Sequence, residues 1–383
     1  MMKILPRKID LHSLLEKNSF FLFGPRATGK TCWIRHSLPQ ARLFDLLDSD
    51  VYDRFLRRPR QLSEEIGERD TLVVIDEIQK LPRLLDEVHR LIEERGIRFL
   101  LTGSSARQLK RQGANMLSGR AWQAGFFPLV SPEIPNFDLL RFLNFGGLPR
   151  VYLSTNPLEE LKAYAHLYIH EEVKNEALTR KIENFVRFLD VMAAANGQEV
   201  NYQSLAGDSG VPPRTIENYV EILKDTLIGF ELLPFTGTSK RKAVSRSKFF
   251  FFDPGVANFL AKRLPISEGN PAFGTSFEHW IILEIRTCLS LARIDLPLCY
   301  WRTTLRDEVD LIVGNDLAIE IKCTRQVQDK HLKGLRRLRE EGKVREYCLI
   351  SRDPVARTID GIRIWPYEDF LARLWAGTIW NIG

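Results

Sequence analysis

The chain has 383 residues, 44% hydrophobic and 27% charged, a composition typical of globular proteins with about two or three domains. Its five cysteines are scattered and odd in number, which argues against a disulfide framework or a zinc site. No window reaches about 18 uncharged apolar residues and the N-terminus lacks a signal-peptide pattern, so we expect a cytoplasmic protein with no membrane partner. The net charge of +6 is compatible with nucleic-acid binding but does not by itself indicate it.

A phosphate-loop sequence follows the first predicted strand. The apolar run at 19–23 predicts a buried parallel strand, and the residues after the loop predict a helix. In such a loop the backbone N–H groups face the phosphates, Lys30 reaches the β- and γ-phosphates, and the Thr31 hydroxyl binds Mg²⁺. The eight residues at this junction match G-x-x-x-x-G-K-[ST] at every specified position: Gly24, Pro25, Arg26, Ala27, Thr28, Gly29, Lys30 and Thr31.

Two acidic residues follow a second buried strand. The apolar run at 72–75 ends in Asp76 and Glu77, at the carboxyl edge where open α/β sheets bind ligands. We expect Asp76 to hold Mg²⁺ and Glu77 to polarise the attacking water. Acids also end strands in ordinary turns, but a position about 45 residues after a phosphate loop favours the catalytic interpretation.

A further strand, predicted at 97–101, ends in small polar residues. In P-loop ATPases of this class, such a strand lies between the strand that precedes the phosphate loop and the strand that ends in the acidic pair. The end of the strand at 97–101 can therefore reach the γ-phosphate. Thr102, Ser104 or Ser105 is therefore the candidate sensor of that phosphate. The alternative is that these side chains only cap a helix.

Four segments together resemble a known family: 76–82 (DEIQKLP), 101–105 (LTGSS), 117–120 (LSGR) and 127–129 (FPL). The chain is similar to the archaeal and bacterial AAA+-like ATPases related to the STAND branch, whose members carry a C-terminal domain of unassigned function. The resemblance extends over nearly the whole chain.

This resemblance implies two further nucleotide-site residues. Arg120 is implied as an arginine finger or sensor, acting within or across subunits, and a surface arginine in a loop is the alternative. The segment 146–149 (GGLP) resembles the G-x-P element near adenine in STAND ATPases, which implies a nucleotide contact for Pro149. The guanine-reading motif N-K-x-D is absent from the sequence, which favours ATP over GTP.

The middle of the chain predicts a helical lid at 151–178 and a winged helix at 179–252. The pattern at 202–223 indicates a helix-turn-helix with an apolar shared core. Arg214, Thr215 and Asn218 would then lie on the exposed N-terminal part of the second helix, where such motifs contact DNA.

A basic loop joins the two predicted strands of the wing. It carries Lys240, Arg241, Lys242, Arg246 and Lys248 and no acid, which suits contacts to DNA phosphates. Winged helices in ATPases also serve as lids or protein docks, and a basic loop can simply be solvated, so these alternatives stay open.

The last part of the chain, 253–383, contains a hairpin pattern that resembles the PD-(D/E)XK nuclease core. Asp310 lies in its first strand, Glu320 and Lys322 share one face of the second, and Glu278 lies on a preceding helix. The resemblance implies Mg²⁺ at Asp310 and Glu320, with Lys322 stabilising charge in the reaction. Val309 stands where many members have proline, and an edge hairpin with a salt bridge would look similar.

The sequence therefore predicts an α/β protein with three parts. These are an N-terminal P-loop domain of the ASCE/AAA+-like type at 1–150, the lid and winged helix, and a restriction-endonuclease-like C-terminal domain. We expect an ATPase that uses ATP and Mg²⁺ and couples its nucleotide state to DNA. The rival hypotheses are a signalling or adaptor switch with an inert docking domain, and a bare ATPase subunit in a homo-oligomer or with a protein partner.

Overall fold

A computed structural model describes residues 4–104, 117, 119–169, 182–238 and 240–379. Ser105 and the last part of the predicted lid, 170–178, lie outside the described residues. The described chain forms two β-sheets with helices packed around both.

The N-terminal sheet has five strands, all parallel, in the order β2-β3-β4-β1-β5. The strand β4 lies between β1 and β3, as the sequence predicts for an ATPase of this class. Its elements are α1 (Leu11–Lys17), β1 (Ser19–Phe23), α2 (Lys30–Ser37), β2 (Arg42–Asp45), α3 (Ser49–Arg57), α4 (Gln61–Glu65), β3 (Leu72–Asp76), a 3₁₀ turn (Ile78–Lys80), α5 (Leu84–Arg95), β4 (Arg98–Gly103) and β5 (Ala121–Gly125).

Apolar residues on both faces explain why this sheet is parallel and central. Every residue of β1 is buried, and so are the apolar residues of β3 and β4 except the half-buried Leu72. One face packs on α3, α4 and α5, and the other packs on α1 and α2. Continuous burial of this kind is typical of parallel strands covered by helices on both sides.

The middle of the chain is helical and ends in a hairpin. The segment predicted as a helix-turn-helix forms two helices, α10 (Tyr202–Ser209) and α11 (Pro213–Asp225), and Leu205, Val211 and Ile216 are buried in the core that these helices share. The elements are a 3₁₀ turn (Ser131–Glu133), α6 (Leu139–Phe145), α7 (Pro149–Leu153), α8 (Pro157–Ala163), a π-helical turn (Tyr164–Ile169), α9 (Ile182–Ala194), α10 (Tyr202–Ser209), α11 (Pro213–Asp225), β6 (Gly229–Pro234), β7 (Lys248–Phe251) and α12 (Pro254–Leu260).

The C-terminal sheet has eight strands in the order β12-β13-β11-β10-β9-β8-β6-β7. The strands β9 and β10 form the predicted antiparallel hairpin, and β10, β11 and β13 continue in parallel. Its remaining elements are α13 (Pro271–Leu291), β8 (Leu298–Arg302), β9 (Glu308–Val313), β10 (Leu317–Lys322), a 3₁₀ turn (Asp329–Leu332), α14 (Lys333–Arg339), β11 (Glu346–Ser351), β12 (Arg357–Ile359), β13 (Ile362–Pro366) and α15 (Tyr367–Trp375).

The hairpin of β6 and β7 is part of this C-terminal sheet. The strand β6 runs parallel to β8, with Leu233 opposite Cys299. Leu232 and Phe250 enter the same core as Trp280 in α13, because one face of the hairpin is apolar. The hairpin predicted as the wing is therefore docked against α13, and one core extends across the predicted boundary between 252 and 253. The winged helix itself stays a prediction.

No helix among the described residues is both long enough and apolar enough to span a membrane.

The docking of the hairpin predicts a large effect for Phe250→Ala. Phe250 is 1% exposed and stacks on Phe230, so the truncation leaves a cavity between the hairpin and α13. We expect a loss of about 3 to 5 kcal/mol in the free energy of unfolding, measured by denaturant titration. Leu305→Ala is the control, since Leu305 is 78% exposed and its loss should change stability by less than about 0.5 kcal/mol. Similar midpoints for the two variants would contradict this packing.

Candidate functional sites

The phosphate loop connects β1 to α2 in the conformation that the motif requires. Gly29 has φ 90° and precedes the first residue of α2, a left-handed conformation that glycine adopts at low cost. At Gly24 a side chain is excluded by contact, because an added Cβ would lie 2.1 Å from the carbonyl oxygen of Phe126. Both glycines are therefore required by the local backbone.

Lys30 is the buried cation of this loop. Its side chain folds back over the loop, and Nζ donates to the carbonyl oxygens of Gly24 at 2.6 Å and Pro25 at 2.9 Å. The residue is 6% exposed. The ammonium group is thus held at the first two residues of the loop, the segment whose backbone N–H groups bind phosphate in such motifs.

Asp76 joins the phosphate loop to the central strands. Thr31 Oγ1 donates to Asp76 Oδ2 at 2.6 Å, and the Thr102 hydroxyl donates to the other carboxylate oxygen. Asp76 is 1% exposed at the carboxyl end of β3. The hydroxyl of Thr31 and the carboxylate of Asp76 are hard oxygen donors, the ligand type that Mg²⁺ prefers.

Glu77 lies in a second hydrogen-bonded group beside Asp76. Its backbone is left-handed, with φ 60°, and its N–H donates to Thr102 Oγ1 at 3.1 Å. The side-chain amide of Gln79 donates both to the Glu77 carboxylate and, at 3.2 Å, to Ser104 Oγ. Ser104 Oγ is itself 3.5 Å from the carboxylate, so the predicted sensor contacts Glu77 directly.

Gln79 has a role at this site that the sequence analysis did not assign. It belongs to the DEIQKLP segment that carries the family resemblance, and that was its only signal. The 3₁₀ turn after Glu77 returns its amide to the end of β4, which places it between Glu77 and Ser104.

Pro149 lies beside the phosphate loop, as its predicted role requires. A Cβ added to Gly29 would be 3.7 Å from Pro149 Cγ. The turn before Pro149 is fixed by Asp253, which is fully buried and accepts N–H bonds from Gly147 at 2.7 Å and Val256 at 3.0 Å. Burial raises the pKa of Asp253 to about 6 against the effect of these N–H bonds. Asp253 is a positioning residue that the sequence analysis missed.

Arg7 is a third residue that the sequence analysis did not assign. Its guanidinium group bonds to Glu133 at 2.9 Å and to the carbonyl oxygen of Thr28 in the phosphate loop at 2.9 Å. It also donates to the carbonyl oxygens of Phe127 and Pro128. Burial lowers its pKa despite the Glu133 carboxylate. This arginine ties the N-terminal segment to the loop and to the chain after β5.

Arg120 lies at the wrong edge of the sheet for a sensor within the same subunit. It precedes β5, whose first residue pairs with Ser19 at the start of β1. The phosphate loop follows the other end of β1, about 16 Å away at about 3.3 Å per residue. Arg120 instead forms an ion pair with Glu93. This position does not favour a nucleotide contact within the subunit, and the role of Arg120 as an arginine finger or sensor stays a prediction.

The predicted nuclease-like residues lie together on β9, β10 and α13. Lys322 Nζ is 2.6 Å from Glu320 Oε1 and 3.3 Å from Asp310 Oδ2. The backbone N–H of Ile321 donates to Asp310 Oδ2 at 2.7 Å. Asp310 and Glu320 are buried, which is unusual for carboxylates unless they are paired.

Lys248 is a member of this group rather than of the basic loop in which the sequence analysis placed it. Its ammonium group is 2.6 Å from Glu308 and 3.6 Å from Glu278, and its side chain is 5% exposed. Since Lys248 is the first residue of β7, the hairpin itself contributes a cation to the acidic cluster.

Burial and mutual repulsion set the electrostatics of this cluster. Burial and the negative charge of Asp310 raise the pKa of Glu278 to about 7, while Lys248 acts in the opposite direction. The pKa of Glu320 is raised for the same two reasons. Within the described ranges, no three His, Cys, Asp or Glu side chains are grouped so as to hold a metal ion. The acids form an ion-pair network with two lysines, and metal binding at Asp310 and Glu320 stays a prediction.

The basic loop contacts the C-terminal domain instead of extending into solvent. Arg241 pairs with Glu340 and, at 3.1 Å, with Glu341, while Lys240 Nζ donates to the carbonyl oxygen of Glu340 at 2.5 Å. Lys242 remains exposed. Arg241 is therefore neutralised by acids about 100 positions away in sequence, and Lys240 is held at a backbone carbonyl oxygen. Contact of this loop with DNA phosphates stays a prediction.

The N-terminal part of α11 is exposed as predicted. Arg214 and Asn218 are exposed and Thr215 is half-buried, on the side of α11 that faces away from the shared core. This surface is accessible to a ligand, and its contact with DNA stays a prediction.

Three protein-family domains match successive parts of the chain. An AAA domain matches residues 16–134, a domain of unknown function (DUF8612) matches 136–267, and another (DUF4143) matches 273–370. The first match covers the phosphate loop, Asp76, Glu77 and the strands around them. Together with the site geometry, it identifies this part of the chain as a nucleotide-binding ATPase domain of the AAA type.

Curated relatives match along most of the chain. Uncharacterized proteins of Mycobacterium tuberculosis and Mycobacterium bovis are each 26% identical over 318 residues, which is 79% of this chain and 70% of theirs. An uncharacterized protein of Methanocaldococcus jannaschii is 24% identical over 327 residues, 74% of this chain and 70% of its own.

Two solved structures are also similar to parts of the chain. A replication initiator DnaA bound to AMPPCP and single-stranded DNA has a TM-score of 0.28 at 10% identity and covers 58% of this chain and 90% of its own. A signal transduction ATPase with numerous domains from Pyrococcus horikoshii has a TM-score of 0.23 at 12% identity. The match covers 76% of this chain and 49% of the other. TM-scores this low carry no argument about this chain.

The buried His279, next to Glu278, predicts a pH dependence of stability. Its Nε2 is 2.7 Å from the carbonyl oxygen of Phe251, and burial lowers its pKa to about 4. As the pH falls, the imidazole of His279 is therefore protonated in the unfolded chain before it is protonated in the folded protein. The free energy of unfolding decreases between about pH 6.5 and pH 4, by about 1.4 kcal/mol per pH unit.

The measurement compares wild type with His279→Gln by denaturant titration between pH 4.5 and pH 7. Buried carboxyl groups such as Glu284 change stability in the opposite direction, so the difference between the two proteins is the quantity of interest. The difference in the free energy of unfolding between wild type and His279→Gln should decrease as the pH falls. The exposed His12, replaced by glutamine, is the control. Parallel pH profiles of wild type and His279→Gln would contradict the assignment.

Proposed function

We propose that this protein binds and hydrolyses ATP and that its nucleotide state changes how the middle and C-terminal parts engage DNA. The observation that carries the ATPase proposal is the convergence of Lys30, the Thr31–Asp76 pair and Glu77 at the carboxyl ends of adjacent parallel strands. Charge-binding and water-activating groups meet there at one edge of the sheet.

Each residue has a distinct task in this proposal. Lys30 binds the β- and γ-phosphates after leaving the carbonyl oxygens of the loop. Thr31 and Asp76 would hold Mg²⁺, which when bound neutralises charge on the phosphates. Glu77 accepts a proton from the attacking water as general base.

Gln79 regulates access to Glu77. Its amide donates to the carboxylate that must accept the proton, so the base is already engaged in this conformation. The bond to Ser104 holds the amide at the end of β4. We propose that contact between Ser104 and the γ-phosphate moves Gln79 and releases the base.

The connection to the rest of the chain passes through Pro149 and Asp253. Pro149 lies against Gly29, and Asp253, at the start of α12, fixes the turn before Pro149. The interior of α12 packs between the middle helices and α13. A displacement of the phosphate loop on nucleotide binding would therefore shift Pro149 and, through it, α12, which contacts both the middle helices and α13.

The ATPase proposal predicts separable effects of three substitutions. Lys30→Ala should abolish ATP binding, because the phosphates lose their cation. Glu77→Gln should keep the affinity and stop turnover, because it removes only the base. Gln79→Ala should keep the affinity and change kcat. Nucleotide affinity and phosphate release measure these effects, and Lys17→Ala on the exposed face of α1 is the control. An equal loss of affinity in Lys30→Ala and Glu77→Gln would refute the roles.

The DNA-binding part of the proposal rests on α11. Three helices followed by a hairpin, with Glu199 forming a bridge to Lys248, are the element order of a winged helix. Arg214 and Asn218 are exposed in the N-terminal part of α11, the second helix of the pair. The rival is an adaptor switch in which the same surface binds a protein.

The salt dependence of DNA affinity distinguishes a DNA-binding α11 from an α11 that binds a protein. If α11 contacts phosphates, Arg214→Ala should weaken binding to unrelated duplexes and flatten log affinity against log salt by about 0.9 per lost contact. Arg241→Ala is the matched control and should leave the slope unchanged, because its guanidinium group is paired with Glu340 and Glu341. No retention of wild type on DNA at low salt would favour the adaptor hypothesis.

A metal-dependent nuclease is a second candidate activity. The specific observation is that Glu320 Oε2 and Glu278 Oε1 are buried without a hydrogen-bond partner among the described residues. Oxygen atoms of this kind suit a divalent cation, which Asp310 and Glu320 would hold. Such a cation, when bound, activates water for attack on a phosphodiester, and Lys322 would stabilise the charge that develops.

This second candidate predicts cleavage of plasmid DNA with Mg²⁺ or Mn²⁺. Asp310→Ala should eliminate cleavage and metal binding, because the cation loses a carboxylate ligand. Lys322→Ala should retain the metal and slow the reaction. Cleavage is measured with ATP present and absent, alongside calorimetric metal titration. Equal cleavage by wild type and Asp310→Ala would reveal a contaminant, and no cleavage under any condition would leave a nuclease-like binding domain.

A further inference from the structure

A large cleft lies beside the phosphate loop and is not used by the proposed ATPase site. Its volume is about 1270 Å³, and it opens between the edge strand β5, the end of β6 and the helix α13. Of the phosphate-loop residues only Gly24 and Pro25 line it, whereas Lys30 and Gly29 do not. The cleft is thus separate from the groups that would hold the phosphates of ATP.

Arg286 of α13 is the distinctive group in this cleft. The ring centres of Phe230 and Phe127 lie 4.3 Å and 5.4 Å from its guanidinium carbon. No carboxylate among the described residues forms an ion pair with it, and burial alone lowers its pKa to about 10. A cation held against aromatic rings with no counter-ion is costly unless a ligand supplies the negative charge.

A second arginine lines the same cleft. Arg293 follows Arg286 by seven residues and lies two residues beyond Leu291, the last residue of α13. It stacks on Phe20 and Trp122 at 5.3 Å each and donates to the carbonyl oxygen of Gln123 at 3.4 Å. The guanidinium group of Arg293 therefore adds positive charge to the end of the cleft formed by Trp122 and Gln123.

The acids of the cleft do not cancel this charge. Glu231 bonds to Lys224 at 2.6 Å and to the Ser247 hydroxyl at 2.7 Å, so its charge is already compensated. Asp295 is exposed to solvent. The remaining wall near Arg286 is largely apolar, with Leu289 and Phe252 beside the two phenylalanine rings.

We propose that this cleft binds a small organic anion whose carboxylate or phosphate accepts hydrogen bonds from Arg286 and whose apolar body packs against Phe127 and Phe230. A guanidinium group presents paired N–H donors that match the two oxygens of such a group. An apolar cavity with few, well-placed polar groups is the usual form of a small-molecule site.

The test uses benzoate and phenyl phosphate, which share an apolar ring and differ in the anion. The protein is the full chain carrying Lys30→Ala, so that the phosphate loop does not contribute an anion site. Binding is followed by calorimetry and by the fluorescence of Trp122, which is 41% exposed and lines the cleft. Trp122→Phe identifies its part of the signal among the seven tryptophans.

We expect saturable binding of at least one acid in the millimolar range or tighter, with affinity about tenfold or more lower in Arg286→Met. The acid that binds identifies the source as carboxylate or phosphate. Arg345→Met, which removes an arginine that is 81% exposed, should leave the affinity unchanged. Arg286→Lys keeps the charge without the paired donors and should weaken binding less than methionine does.

Three results would overturn the proposal. They are no binding of either acid, undiminished binding in Arg286→Met, and equally tight binding of the neutral benzyl alcohol. Thermal unfolding of each variant shows that it is folded, and a bound acid should raise the Tm of the parent protein but not that of Arg286→Met.

Discussion

The carboxylate of Asp76 is the contact on which the nucleotide site depends. One oxygen accepts from Thr31 at the start of α2 and the other from Thr102 at the end of β4, so three elements meet at one buried group. Thr102 also accepts the N–H of Glu77, which fixes the left-handed backbone there. The positions of the phosphate loop, the base Glu77 and the strand β4 are therefore set by one connected network of hydrogen bonds. A change at any member of the network alters the position of the others.

Charge burial organises the rest of the molecule in a similar way. Lys248 brings a cation from the hairpin to the acids of α13 and β9, and Asp253 fixes the turn that reaches the phosphate loop. Since isolated charges are costly in an apolar interior, each of these groups restricts how the adjoining elements can be arranged. Arg286 is the exception, because the described residues offer it aromatic rings and no carboxylate.

Much of the nucleotide site could be predicted because its residues are close together in sequence. The loop from Gly24 to Thr31 and the pair Asp76 and Glu77 each follow a recognisable strand, and the strands of a parallel sheet end at one edge. Gln79 and Asp253 were not predicted, since their partners are fixed by a turn and by a helix from another part of the chain. The position of Arg120 before β5 could not be predicted, because a motif does not reveal the end of a strand at which it lies.

The sequence by itself determined the local elements: the parallel strands, the phosphate loop, the helix-turn-helix and the hairpin that carries Asp310, Glu320 and Lys322. These follow from periodicity, glycine conformations and short-range spacing. Only the tertiary structure decided that β6 pairs with β8, that Glu340 and Glu341 pair with Arg241 of the basic loop, and that Lys248 joins the acidic cluster. Those contacts join residues between about 60 and 100 positions apart, and their free energy depends on burial that no local pattern records.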